Sequence, residues 1–196
     1  MASVAPEDVD MILMCTSSPD DVFGSATTVQ ANLGCTKAVG MDLTAACSGF
    51  VLGLLTASAY IRSGMAKNVV VIGADCLSRY VDWTDRNTCI LFGDGAGAVV
   101  VTATTPGMDG LLGSAMHSDG KGLKSLNCTN ATPVNKPASE DMEVRAGQTR
   151  YQNLYMNGQE VFKFAVRAVP NVIEEALTSG GLTKVCRVGW GGPRDG

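Results

Sequence analysis

The chain has one histidine, His117, no C-x-x-C pair, no block of basic residues and no run of 18 apolar residues. Each absence removes a class of function. Without paired cysteines there is no zinc-finger spacing and no disulfide framework. Seven cysteines, at 15, 35, 47, 76, 89, 128 and 186, make an odd number, and several lie inside apolar runs. That pattern reads as reduced thiols in a reducing compartment. A net charge of −4 with no basic cluster argues against a nucleic-acid groove. A membrane-spanning helix needs about 20 apolar residues, so none is expected. The first residues, Met1-Ala-Ser-Val-Ala-Pro-Glu-Asp, show neither a signal peptide nor an Arg-rich transit pattern.

What is present reads as a globular α/β chain. Apolar residues make up 45% and charged residues 17% of 196 positions, enough for a packed core. Val9 to Cys15 is an apolar run of strand length. Ser25 is placed to cap a helix that stops at Gly34. Lys37 to Leu43 predicts a second strand, Cys47 to Ser63 a buried helix ended by Gly64, and Asn68 to Asp75 a strand buried on both faces. This β-α-β-α-β order is the signature of a parallel α/β sheet. A polar loop, Cys76 to Asn87, follows. Ala96 to Ala103 and Gly110 to Met116 predict two further strands, paired through Thr-Thr-Pro-Gly. The polar stretch Lys121 to Gln148 reads as a surface excursion. Tyr151 to Met156 begins another strand, and Gly158 to Ser179 has apolar residues at helical spacing, with Pro170 as a possible kink and Gly180-Gly181 as its stop.

Cys47 is the outstanding chemical candidate. It follows a strand, sits among the small residues Ala45, Ala46, Ser48 and Gly49, and opens a helix. Orphan N–H groups and the dipole at a helix start favour an anion, and the thiolate is cysteine's reactive form. Its own backbone N–H is a candidate oxyanion donor. The competing reading is a buried structural cysteine. His117, at the end of a strand beside a turn, is the one candidate basic partner; the competing reading is a solvated side chain. Gly93-Asp-Gly-Ala-Gly-Ala fits the dinucleotide string G-x-G-x-x-G/A, but a strand follows it where a helix is required. A turn packing closely under an active site is the better expectation. Asp82, Asp85 and Arg86 are expected to form surface pairs. Lys163 and Arg167 share one helix face, either solvated or facing an acidic partner. Phe23 is an apolar side chain in a loop.

Five strings occur in order: Asp42-Leu-Thr-Ala-Ala-Cys-Ser-Gly-Phe, Val70-Val-Ile-Gly-Ala-Asp, Asp82-Trp-Thr-Asp-Arg, Phe92-Gly-Asp-Gly-Ala-Gly-Ala and Met156-Asn-Gly-Gln-Glu-Val-Phe-Lys-Phe-Ala-Val. Together they closely resemble 3-oxoacyl-[acyl-carrier-protein] synthase III, a thiolase-fold condensing enzyme family, from about Pro6 to Leu182. The resemblance implies a thiolase-like α/β fold. Residues 1–120 would form most of the N-terminal half-domain (βαβαβ plus two further strands), 121–150 a polar surface loop, 151–183 the start of the second half with its first helix, and 184–196 an unmatched tail. It implies an acyltransferase that starts type II fatty acid synthesis, condensing an acyl-CoA, usually acetyl-CoA, with malonyl-acyl carrier protein. Cys47 matches the acylated nucleophile. Arg86 matches a CoA-binding arginine, Gly158 and Phe162 match positions along the pantetheine tunnel, and Lys163 matches a residue on the carrier-protein face. Phe23 matches a residue that reaches across a homodimer, and His117 a non-catalytic histidine. No metal and no cofactor beyond the acyl-CoA substrate is implied. The compartment would be the plastid in a eukaryote or the cytoplasm in a bacterium. The family's catalytic His and Asn, carried by its second half, have no match here. The chain is therefore expected to acylate Cys47 at best; the alternative is a non-catalytic dimerisation or interaction module.

Overall fold

The computed structural model describes residues 4–105, 110–129 and 151–183. Its centre is strand β1 (Met11–Cys15), whose burial is nearly complete. Strand β2 (Val39–Leu43) lies parallel to it on one side and β3 (Asn68–Cys76) parallel on the other. Strand β4 (Asp94–Thr102) runs antiparallel to β3 and forms the far edge, giving the order β2-β1-β3-β4. Helix α1 (Ala26–Leu33) packs on one face and α2 (Gly49–Arg62) on the other. The period-two alternation of the strands sorts the core accordingly. Met11, Leu13, Cys15, Val69 and Val71 point toward α2, and Ile12 and Val70 join Ala26 on the α1 side. At the centre α2 approaches the sheet through Gly53. A Cβ there would lie 2.6 Å from the Cys15 sulfur and 2.9 Å from Val71.

Helix α1 starts at Ser25 and stops at Gly34, which adopts φ +73. The cap is not the serine hydroxyl, however. Ser25 and Ala26 donate their backbone N–H groups to the two Asp42 carboxylate oxygens, each at 2.8 Å. A strand residue therefore satisfies the helix's orphan donors. Helix α2 begins at Gly49, later than expected; Cys47 lies in a single 3₁₀ turn, Ala46–Ser48, ahead of it. Gly93 to Ala98 is no turn. All but Gly93 belong to β4, and Cβ atoms at Gly93, Gly95 and Gly97 would meet open space, so close packing does not explain these glycines.

Gly110 to Met116 is not a strand. It lies against the end of helix α3 (Gly158–Ser179), where Ser114 donates its N–H to the Ser179 hydroxyl at 2.8 Å. The Arg62 guanidinium donates to the Leu111 carbonyl at 3.0 Å, and Gly113 sits so close to Ala176 and Gly180 that no Cβ fits. Tertiary packing has taken backbone donors that a hairpin would have used. The second small sheet pairs β5 (Leu126–Asn127) with β6 (Tyr155–Met156). Helix α3 runs unbroken through Pro170, none of its residues is buried, and it ends at Gly180 and Gly181 as expected. Most of the 121–150 loop, and the 184–196 tail with Cys186, lie outside the described residues.

Candidate active site

The carboxyl ends of β1, β2 and β3 converge, as they must where three strands run parallel in register. Ligands of open α/β sheets bind at such an edge. A polar network closes it here. Thr16 donates its N–H to the Leu43 carbonyl at 3.2 Å, and Thr44 returns its hydroxyl to the Thr16 carbonyl at 3.1 Å. Asp75, near the end of β3, accepts at one oxygen from the Ser17 N–H (2.7 Å), the Ser18 hydroxyl (3.2 Å) and the Thr16 hydroxyl (3.3 Å). The Ser18 hydroxyl in turn accepts from the Cys76 N–H at 2.7 Å.

The chain leaves β2 through Thr44 and Ala45 and turns at Ala46, the one non-glycine residue with positive φ (+46) among the described residues. Left-handed backbone costs an alanine about 1 kcal/mol, and such strain gathers where a side chain must be aimed. The next residue is Cys47. It is exposed, its thiol is free, and it borders a cavity of about 370 Å³ at the sheet edge. The exposed, edge-of-cavity position removes the reading of Cys47 as a buried structural cysteine. That reading fits Cys15 and Cys35, both of which are buried. Burial pushes the Cys15 thiol up, away from the thiolate.

The cavity is formed by Ser17, Thr44 and Asp75 on the sheet side and by Tyr80, Leu126 and Cys128 opposite. Tyr80 packs edge-to-face on Tyr151, ring centroids 5.8 Å apart. Burial raises both the Tyr80 phenol and the Cys128 thiol, so both stay neutral near pH 7. The Cys128 thiol donates to the Gln152 carbonyl at 3.2 Å.

Of the six residues expected to form the site, only Cys47 is among the described residues lining this cavity. Arg86 is exposed inside the tight turn that the Thr88 N–H closes on the Asp85 carbonyl. The expected surface pairs with Asp82 and Asp85 do not form. Asp82 accepts from the Thr84 N–H (2.9 Å) and hydroxyl (2.6 Å), while Asp85 accepts from Asn87 and from the fully buried Thr88. These short-range bonds are the better offer for the two acids, because each fixes a turn without the entropy cost of pinning an arginine. They hold both carboxyls below the usual range. Gly158 opens α3 behind Asn157, whose side chain accepts from the Glu160 N–H at 3.3 Å. Phe162 and Phe23 are exposed, Phe23 almost wholly so at 96%. Lys163 pairs with Glu160 at 2.7 Å and Arg167 is exposed, so that face is basic but partly neutralised. His117 pairs with Glu175 of α3 at 2.6 Å and is not among the residues bordering the Cys47 cavity.

Asp75, Tyr80 and Cys128 were not anticipated. Asp75 stood inside a recognised string, but its position at a strand end level with Thr16 and Thr44 required the strand order. Tyr80 follows β3 and its carbonyl accepts from the Leu154 N–H at 2.7 Å, and Cys128 follows the two-residue strand β5; such short elements carry no strong periodic signal.

The chain is similar in sequence and fold to known proteins. Residues 41–120 match the family described as 3-Oxoacyl-[acyl-carrier-protein (ACP)] synthase III. The chloroplastic beta-ketoacyl-[acyl-carrier-protein] synthase III of Arabidopsis thaliana is 55% identical over 93% of this chain and 46% of its own length. The Microcystis aeruginosa synthase III is 53% identical over 93% of this chain and 54% of its own. Among solved structures, the synthase III of Thermus thermophilus superposes with a TM-score of 0.77 at 40% identity, covering 91% of this chain and 53% of that one. The priming beta-ketosynthase of the R1128 polyketide pathway gives 0.75 at 31% identity, covering 92% and 51%. The chain spans about half the length of the curated relatives it matches. Over that span, in sequence and in its thiolase-like α/β fold, it is similar to members of the 3-oxoacyl-[acyl-carrier-protein] synthase III family.

Proposed function

We propose that this chain supplies the acyl-accepting half of a condensing enzyme that initiates type II fatty acid synthesis. The observation that carries the reading is Cys47, exposed beside a cavity behind the strained Ala46 and one turn ahead of α2. In the first step the Cys47 thiolate attacks the thioester carbonyl of an acyl-CoA, acetyl-CoA in the simplest case. The carbonyl oxygen takes the negative charge, and N–H groups at the start of the turn and helix are the donors at hand. Collapse of this intermediate expels the CoA thiolate and leaves an acyl thioester on Cys47. In the whole enzyme, malonyl-acyl carrier protein then loses CO2 and its carbanion attacks that thioester, giving 3-oxoacyl-carrier protein and freeing Cys47. This second step needs groups to polarise the malonyl thioester, and no histidine is among the described residues lining the Cys47 cavity.

The family positions assign the remaining contacts. Arg86 binds CoA, Gly158 and Phe162 border the pantetheine, Lys163 meets the acidic carrier protein, and Phe23 reaches a second subunit of a homodimer. Exposure of Arg86, Phe162, Lys163 and Phe23 supports roles toward partners outside this chain. A plastid or bacterial cytoplasmic setting follows from the same assignment. No described helix is long and apolar enough to cross a membrane.

The competing reading is an interaction module that pairs with a complete synthase subunit. Phe23, at 96% exposure, and the unburied face of α3 favour it. Intact mass after incubation with acetyl-CoA separates the two. The acyltransferase reading expects one added acetyl group, absent in Cys47→Ala. A folded chain that gains no acetyl group but co-purifies with a full-length synthase would establish the module instead.

A further inference from the structure

The turn that carries Cys47 is anchored at both ends to the end of β1. Cys15 pairs with Leu43, so Thr16 lies level with Thr44. The Thr16 N–H makes one further rung, to the Leu43 carbonyl at 3.2 Å. In a parallel ladder the next rung would run from the Ala45 N–H back to the Thr16 carbonyl. That carbonyl is taken by the Thr44 hydroxyl, at 3.1 Å. A side chain has replaced a backbone donor, and the chain leaves the sheet at Ala45 (φ −150, ψ 33). The strained Ala46 and then Cys47 follow at once. The acceptor is itself held, since the Thr16 hydroxyl and the Ser17 N–H donate to one Asp75 oxygen at 3.3 and 2.7 Å. On the far side of Cys47, the Ser48 and Gly49 N–H groups donate to the Ala45 and Ala46 carbonyls and close the 3₁₀ turn. Gly49 is buried, and a Cβ on it would stand 3.4 Å from the Cys15 Cβ. Cys47 thus lies between two anchors on adjacent residues of β1. A left-handed alanine persists only where its surroundings over-determine it, and these anchors supply that constraint.

We propose that Thr44 is a positioning residue for Cys47: its hydroxyl ends the β1–β2 ladder one rung early and so sets the turn that aims the thiol. Of the two anchors, this one is a single side-chain hydrogen bond, so it can be removed without touching the backbone. Thr16 is buried, and a carbonyl that loses its donor there has no easy recourse to water. The turn would relax toward an ordinary ladder, in which the Ala45 N–H takes the carbonyl and Ala46 need not be left-handed. Aim matters more for some reactions than for others. Attack on a thioester needs the carbonyl oxygen to reach N–H donors while the sulfur reaches the carbon. Alkylation of an exposed thiol needs access alone. The acylation part of this inference rests on the acyl-transfer reading above; the account of the turn does not.

The test compares the wild-type chain with Thr44→Val, which keeps the shape and removes the donor, and Thr44→Ser, which restores it. Thr44→Ala repeats the deletion in a smaller side chain, should the valine not fold. The buried thiols of Cys15 and Cys35 report folding, because they stay unlabelled by iodoacetamide while the core is closed. The first readout is amide hydrogen exchange by NMR at Ser48 and Gly49, whose N–H groups close the turn. Both are expected to exchange about tenfold faster in Thr44→Val, with the β1 amides unchanged and Thr44→Ser back near wild type. Exchange at Ser48 and Gly49 equal to wild type overturns the proposal, and so does equal acceleration in β1, which would mark a general loss of stability. The second readout is the rate of acetylation of Cys47 by acetyl-CoA, beside its alkylation by iodoacetamide, both followed by mass spectrometry. Acetylation is expected to fall about tenfold in Thr44→Val while alkylation stays near the wild-type rate, and Thr44→Ser recovers most of the loss. Equal falls in the two reactions, unchanged acetylation, or no recovery in Thr44→Ser each overturn the proposal. A wild-type chain that gains no acetyl group removes the acyl-transfer reading, and the exchange rates then decide the role of Thr44 alone.

Discussion

Two amphipathic patterns in this chain have opposite fates. Around β1, alternating residues meet a helix on each face, and Ile12, Leu13, Val69 and Val71 are fully buried. Helix α3 carries an equally regular apolar stripe, yet Phe162, Val166, Val169 and Ile173 are each at least 48% exposed. Periodicity therefore reports which face a helix intends to bury, and says nothing of whether the partner lies in the same chain. Burial, not pattern, supplies stability at about 25 cal/mol per Å² of apolar surface.

Truncations in the two regions put that contrast on one scale. Ile12→Ala opens a cavity in a closed core and is expected to cost about 3–4 kcal/mol in chemical denaturation. Ile173→Ala, on α3, is expected to stay within about 0.5 kcal/mol. Comparable losses would mean that α3 is packed against a second copy in solution. Next in size is Asp42→Ala, which strips two backbone N–H groups at the start of α1 of their acceptor. A loss of about 1–2 kcal/mol is expected, read from the denaturation midpoint, whereas Ser25→Ala should move it far less.

The smallest effect is electrostatic. Backbone N–H groups of Asn68 and Lys67, with Lys37 at 3.1 Å, hold the Asp10 carboxyl down at about 2 from 3.8. The folded state therefore favours the ionised form. Its contribution is complete above the unfolded value near 4 and disappears as the pH falls toward 2. Partial exposure and screening keep it near 1 kcal/mol. Acid titration of stability should show this slope between about pH 4 and 2 in wild type and lose it in Asp10→Asn.

Much of the three-layer half could be read in advance, because its elements are long, continuous and punctuated by Gly34 and Gly64. Asn68 to Asp75 reads as a doubly covered strand from its β-branched residues alone, and Cys47 stands out by its small neighbours. The remainder depended on who pairs with whom. Gly110 to Met116 has a strand's composition, but its backbone is taken by α3. Asp42 and Asp75 look alike as acids at strand ends. One caps a helix and the other sets a loop in a cavity wall, and only the strand order separates them.

Asp42 also ties the exposed Phe23 loop to the route that leads to Cys47. Ser25, two positions after Phe23, donates its N–H to the Asp42 carboxylate, and a side chain at Gly24 would meet that carboxylate, five positions ahead of the nucleophile on the same strand and turn. An opening that frees the Ser25 and Ala26 amides to exchange with solvent must first detach them from β2. Their protection thus belongs to the sheet rather than to the loop, and the segment that follows Phe23 is anchored through one carboxylate to the strand that leads to the thiol.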